Sequence, residues 1–415
     1  MDSPPGVSPT AWRAFLLAAV AGVSAWLPFA VGSLGDYPRD AAHAIDALAA
    51  GHLGDFLSAH PDMGAVSILL RAPAVALSGA ANLVAYQWGA IPCLLAGGLL
   101  GLYLAQLAAK RGAGWIAQAA IVGICLLNPL TFDALETGHP EEVFTAALVV
   151  GAVAVASQGH RGRATLLLGL AIASKQWAVI AVLPVLMALP AGRLRAALGA
   201  AGIAAALTLP FLLANPDGFL VTHRSLAFET QGVTHWSAWY PLTNPTRAWD
   251  PDVQATINAY LASPLVARVS HPAIILVAVL LPLGLAKRRK SFHLPGADAM
   301  ALLALLGLLR CVLDPVNTLY YHEPFLLALV GWDALSSRGL PIRALAAAAG
   351  FDLLSRWLLT SDVHLFNALY LWLAAIAAAA IAVELFRRPS PQAHAEGLGL
   401  GAPRGLMAQA PPARP

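Results

Sequence analysis

Apolar stretches of roughly bilayer-crossing length recur from Ala11 to Phe386 and end mostly at Arg, Lys, Pro or Gly, and nothing else in the chain constrains its fold as much. A spanning helix needs about 20 predominantly apolar residues, and about twelve stretches can be read against that measure. With 58% of the 415 residues apolar and 11% charged, there is more apolar side chain than a water-soluble core could hide, so the surplus must face lipid. The first stretch, Ala11–Gly32, exceeds the ~7–15 residues of a signal-peptide core and lacks a convincing small-x-small cleavage site, so we expect a retained first helix. These features predict an all-α polytopic membrane protein, with one transmembrane domain over residues 1–387 and a Pro-, Ala- and Gly-rich disordered cytoplasmic tail over 388–415.

Two stretches, Ala164–Ser174 and Trp177–Leu189, are too short to cross about 30 Å separately at ~1.5 Å per residue, so they read as a helical hairpin ending inside protein or at a cavity. Met63–Ala80 carries Arg71 and Pro73 and reads as an interfacial or half-inserted helix. With the amino terminus inside, Lys110, Arg161, Arg193, Lys287, Arg338 and Arg387 all fall in cytoplasmic loops, as the positive-inside rule requires. Most carboxylates then fall on the outer face. Two outer loops are long, at 33–82 and 215–272. The second opens its stretch Ile274–Ala286 only after a Trp-, Tyr- and Pro-rich segment suited to lipid headgroups. A net charge of +3 is too small to suggest nucleic acid. Cys93, Cys125 and Cys311 lie in or at the ends of apolar stretches without metal-ligand spacing, so neither a disulfide framework nor a zinc site is expected.

Four outer-face clusters carry the residues that chemistry would use. GDYPRD places Asp36 and Asp40 just beyond the first helix. A partly desolvated carboxylate there would have a raised pKa and could deprotonate an incoming hydroxyl, although loop acids also serve as helix caps. Pro38 and the residues after it read as a short amphipathic helix with Asp40, His43 and Asp46 on one face. TFDALETGHPEE gathers Asp133, Glu136, His139, Glu141 and Glu142 in a short turn; Pro140 and the two glutamates suit the start of a helix, but capping explains one or two of these acids and not the group. ASKQW sets Lys175 at the break in the hairpin, where a cation needs water, a carboxylate or an anion such as phosphate. LLRCVLDPVNTLYYHEP brings Arg310, Asp314, Tyr321, His322 and Glu323 to a helix end. The set suits an anionic, lipid-anchored donor: a carboxylate activates the acceptor hydroxyl and cations neutralise the departing phosphate.

Together GDYPRD, NPLTFDALETGHPEE, ASKQW and RCVLDPVNTLYYHEP resemble the GT-C class of integral membrane glycosyltransferases, most closely glycosyltransferase family 87, the polyprenyl-phosphate-mannose-dependent type. The resemblance spans roughly Ala11 to Phe386. It implies a GT-C-like bundle of about 12 helices in the cell membrane, with the active site on the non-cytoplasmic face. It also implies that Asp36 or Asp40 is the base, Asp40 being preferred because the adjacent helix can hold it more rigidly than the loop holds Asp36, while the residues themselves put forward His139, Glu141, Glu142, Lys175, Arg310, Tyr321 and His322 as substrate-binding. The donor would be a polyprenyl-phosphate sugar, mannose or another hexose, used as a co-substrate with no other cofactor and with the metal requirement left open, and the acceptor a lipid-linked or cell-envelope glycan. The Asp is doubled and Tyr-Pro-Arg stands where the family has Val-Tyr, which leaves the acceptor open. A transporter or flippase for a lipid-linked or anionic substrate is the alternative. It would place ionisable groups near the midplane in an inverted repeat, and none is visible.

Overall fold

The computed structural model describes residues 3–31, 33–59, 64–228, 232–243, 245–250, 255–358 and 362–387, so the tail expected to be disordered lies outside the described residues. The chain is helical almost throughout. Among the described residues, eight helices are long and apolar enough to cross a membrane. They are α1 (Pro9–Val31), α5 (Asn82–Lys110), the pair α6 (Trp115–Ile124) and α7 (Pro129–Glu136) taken together, α8 (Pro140–Ser157), α11 (Arg193–Ala214), α13 (Pro264–Arg289), α14 (Gly296–Leu313) and α17 (Val363–Arg387). The remaining apolar stretches form shorter helices: α9 (Arg161–Ser174), a 3-10 turn at Gln176–Ala181 running into α10 (Val182–Ala188), α15 (Glu323–Ser336) and α16 (Ile342–Leu353).

Burial sorts these helices into layers. In α8, 94% of residues are buried, against 22% in the spanning windows of α11 and α17 and 28% in those of α1 and α13. Leu198, Leu213, Leu276, Leu280, Trp372 and Ile376 on the outer helices are exposed, as lipid-facing side chains must be. The central helix α8 packs against α5, α9, α14 and α15. Lipid tails are as apolar as leucine, so this packing rests on close fit and on polar contacts more than on the hydrophobic effect.

The first loop has its own small core. Its helices α2 (His43–Ala49), α3 (Leu53–Ser58) and α4 (Ala65–Ser78) bury Tyr37, Ile45, Phe56 and Ile68 against Tyr86 of α5 and Phe211 of α11. Asp40 lies in the middle of a single wide helical turn, Pro38–Ala42, that runs straight into α2.

Three segments differ from the sequence expectation. The stretch Trp115–Leu130 is not one helix. The chain turns after Ile124, and Asn128 caps a new helix with Pro129 at its first position, its Oδ1 accepting from the backbone N–H of Leu130 (2.8 Å) and Thr131 (3.0 Å). The span expected at Ile274 begins at Pro264, because Ser263 accepts from the N–H of Val266 (3.3 Å) and Pro264 fits the first turn, so the second loop is shorter than 215–272. That loop also holds a further helix, α12 (Pro216–Phe228), and a two-stranded antiparallel hairpin, β1 (Pro245–Asp250) with β2 (Ala255–Tyr260), in register Pro245 opposite Tyr260. Strands were not expected; alternation in so short a polar segment is a weak signal.

Candidate functional site

At one end of the bundle the first loop and the α7–α8 corner interlock through backbone. The N–H of Asp36 donates to the carbonyl of Thr137 (2.9 Å). Gly35 (φ +50°) and Gly138 (φ +90°) face each other's strands of chain so closely that a Cβ on Gly138 would lie 2.5 Å from the Leu34 carbonyl oxygen, and one on Gly35 2.1 Å from the Thr137 carbonyl carbon. Only glycine fits both the left-handed backbone and the gap. This contact sets Asp36 and Asp40 beside His139, 103 residues apart in sequence for the first pair.

His139 is buried and stacks on Tyr320, ring centroids 4.9 Å apart. Its Nδ1 lies 3.0 Å from Glu141 Oε1, and its Nε2 lies 3.4 Å from Asp36 Oδ2 and 3.8 Å from Asp40 Oδ2. Both ring nitrogens therefore face carboxylates, which suits the doubly protonated ring with two N–H donors. Burial works against that charge, but the hydrogen bonds to Asp36 and Glu141 outweigh it and raise the imidazole pKa to about 9. Arg39 donates to Asp36 (2.9 Å) and to Asp40 (3.0 Å). The Asp36 side chain is 45% exposed while that of Asp40 is 10% exposed, so Asp36 is the carboxylate that an incoming molecule meets.

The raised carboxylate pKa expected in this loop is not found at Asp36. There the hydrogen bond from His139, aided by the charges of Arg39 and His139, outweighs burial and lowers it. Asp36, Asp40 and His139 each bring a ligand-type atom within 4.8 Å of the others. Arg39 also donates to both carboxylates, so a cation held by the trio would share their oxygens with that guanidinium.

Glu141, fully buried in the first turn of α8, ties this group to the interior. Its Oε1 accepts from His139 and from Lys175 Nζ (3.0 Å), and its Oε2 from Arg71 Nη1 (3.1 Å). The Arg71 guanidinium lies 5.1 Å from the ring centre of Tyr37 and 6.0 Å from that of Tyr86. Lys175 also reaches Glu142 Oε1 (3.2 Å), whose Oε2 accepts from the Trp177 indole (2.9 Å). Lys175 is held in the extended break between α9 and the 3-10 turn, where Gly64, at the head of α4, donates to the Ser174 carbonyl (2.9 Å). Arg310 completes the group. Its guanidinium lies 4.3 Å from the Tyr321 ring centre and 5.5 Å from that of Trp177, with Asp314 at 3.6 Å.

The structure thus brings together Asp36, Asp40, His139, Glu141, Glu142, Lys175, Arg310 and Tyr321. It leaves His322 out. That ring is buried against Trp236 and Phe351, with Nδ1 3.0 Å from the Leu319 carbonyl and Nε2 2.9 Å from the Tyr370 hydroxyl, so both nitrogens are already engaged away from Lys175. Lys175 meets two carboxylates, the bland alternative for an isolated lysine at a helix break. Sequence reasoning passed over Arg39, Arg71 and Trp177. Arg71 had a usable signal, since a lone charge inside an apolar stretch marks a polar site by default; Trp177 and Arg39 had none, being ordinary residues beside more conspicuous ones.

No family model matches the chain. No curated protein matches it in sequence. Among solved structures it is similar to ArnT from Cupriavidus metallidurans, determined bound to undecaprenyl phosphate, with 18% identity over 91% of this chain and 71% of that one and a TM-score of 0.50. At that identity the likeness concerns fold alone: the chain is a multi-pass membrane protein with the helical fold of the GT-C class.

Proposed function

We propose that the protein is an inverting glycosyltransferase that moves a hexose from a polyprenyl-phosphate carrier to a hydroxyl of a lipid-linked or cell-envelope glycan. The observation that carries the reading is Asp36, a half-exposed carboxylate held by His139 and Arg39 at the same end of the bundle as Lys175 and Arg310. The GT-C fold supports it, as does the carrier lipid bound to ArnT. Mannose is the sugar that the resemblance to glycosyltransferase family 87 favours. The basic residues at the far ends of α5, α13 and α16, among them Lys110, Lys287 and Arg343, support a cytoplasmic location for the opposite end of the bundle and a non-cytoplasmic one for the site, in the plasma membrane.

In this reaction Asp36 takes the proton of the acceptor hydroxyl as its oxygen bonds to the anomeric carbon. The bond from that carbon to the phosphate oxygen breaks, and polyprenyl phosphate leaves with the electron pair. One base and no protein nucleophile give inversion, as in the inverting geometry of glycoside hydrolysis. Lys175 spends two of its three N–H donors on Glu141 and Glu142, which leaves one for the departing phosphate; Arg310 supplies others. His322 has no part in this scheme. Asp40, more enclosed than Asp36, helps Arg39 and His139 hold the base in place.

The test is direct. Purified protein in liposomes is supplied with polyprenyl-phosphate sugars, and release of polyprenyl phosphate is followed. Release that depends on Asp36 supports the reading. Failure of every donor, in the presence of glycolipid acceptors, removes it.

A further inference from the structure

Glu141 contributes nothing to the transfer just described, yet it is the most heavily engaged side chain in the site: a fully buried carboxylate on which three cationic groups converge from separate parts of the chain. Lys175 and Arg71 alone would neutralise it. The third partner, His139, is the only one of the three that also touches the carboxylate facing the opening. The spacing orders the contacts, since Glu141 holds Nδ1 at 3.0 Å, a full hydrogen bond, while Nε2 reaches Asp36 at 3.4 Å. Tyr320 stacks on the ring and removes the freedom to rotate out of that line.

We propose that Glu141 is the positioning residue of the Asp36 base, acting through His139: it fixes the imidazole so that Nε2–H points at Asp36 Oδ2 and holds that carboxylate toward the acceptor. The inference rests on the glycosyl-transfer reading and deepens it. The neutral ring has a single N–H and two facing carboxylates, so loss of its proton strips a donor from either Glu141 or Asp36 and sets like charges against each other. The charged and titratable groups around the ring are consistent with a held cation. Asp36 and Asp40 face it from the first loop with Arg39 behind them, Glu141 from α8 with Glu142 beyond Lys175, Asp133 from α7 with Glu136 beside it, Lys175 from beyond α9, Tyr320 from the turn before α15, and Arg71 of α4 through Glu141.

Two measurements test it. In the first, histidine-labelled protein in lipid nanodiscs is titrated by nitrogen NMR. In the wild type, both His139 ring nitrogens stay protonated until pH about 9; in Glu141→Gln the transition falls toward the ordinary value near 6.5. An unchanged transition in Glu141→Gln overturns the proposal. The second is kinetic and uses His139→Gln, which leaves Glu141 paired with Lys175 and Arg71 and so survives even where Glu141→Gln fails to fold. Its kcat falls about tenfold to hundredfold, less than the ~10²–10⁴ of a lost base, with the donor KM within about twofold and no alkaline fall in rate through pH 9. Wild-type kcat in His139→Gln, with Asp36→Asn inactive, overturns the positioning role and leaves the transferase reading standing. Absence of turnover in the wild type removes that reading instead, and the imidazole titration still decides whether Glu141 holds the ring.

Discussion

The two ends of the bundle handle buried charge in opposite ways. At the basic end, Arg289 of α13 pairs with Asp298 of α14 (2.6 Å), and Arg343 of α16 pairs with Asp333 of α15 (2.7 Å) and reaches Glu384 of α17. Asp333 also accepts from the backbone N–H of Arg343 and Ala344, so it caps α16 as well. These are staples between neighbouring helices. At the other end, Glu141 alone serves His139, Lys175 and Arg71, and the chain of contacts runs on to a carboxylate open to solvent. Helix α14 joins the two kinds, with Asp298 in its first turn and Arg310 in its last, about 18 Å along the axis at ~1.5 Å per residue. A network that converges and then opens is built to hold a group in place for something that arrives, while a closed pair only holds helices together.

The comparison breaks most sharply at Asp36. Asp36→Asn keeps the shape of the side chain but cannot accept the proton, so transfer should fall by about 10²–10⁴ with folding and donor binding retained. Asp40→Asn should be milder. Should both keep near-normal rates, Asp36 is not the base, and Glu141 or Glu142, both buried in the first turn of α8, becomes the next group to test. The next largest effect is on stability. Glu141→Ala leaves buried cations without their shared partner and should cost about 3–5 kcal/mol, seen as a lowered Tm in detergent.

Smaller effects sharpen the contrast. Gly138→Ala forces a side chain into left-handed backbone against the Leu34 carbonyl, so it should cost about 1–3 kcal/mol and push the first loop away from His139, lowering transfer while donor binding is kept. Stability should also report the two titrations. The pKa of His139 is raised, so its contribution is complete below the ordinary histidine value near 6.5 and is lost as pH rises through about 9. That of Asp36 is lowered, so its contribution is present above the ordinary aspartate range and is lost as pH falls below it. A Tm profile in which His139→Gln abolishes the alkaline loss would agree. The smallest effect on transfer belongs to the basic end: Arg343→Ala leaves the buried Asp333 carboxylate with only its two backbone donors, so it should cost about 1–3 kcal/mol of stability and leave transfer unchanged. A large loss of transfer there would mean that the two ends are not independent.

Much was legible in the chain before any tertiary contact was known. Stretches of apolar residues between basic loops, and start signals such as Pro140-Glu141-Glu142, act within a turn or two, and so the all-helical membrane class and the crowding of acids near His139 follow from short-range chemistry. The helix start missed at Pro264 fails for the opposite reason. Arg268, His271 and Pro272 look like loop residues one by one, and only the cap at Ser263 and the packing of α13 decide that they continue a helix. Which polar residues meet is settled by tertiary structure. Lys175 and Arg310 stand equally well for phosphate or for carboxylates, and His322 stands in the same motif as Tyr321, one residue away. Yet the turn at Leu319–His322 carries Tyr321 under Arg310 and His322 into a cage with Tyr370. Burying a charge without a partner is so costly that the fold places Arg71, Glu141, Lys175 and His139 together, although they come from four separate segments, and no pattern local to any one of them states who its partner is.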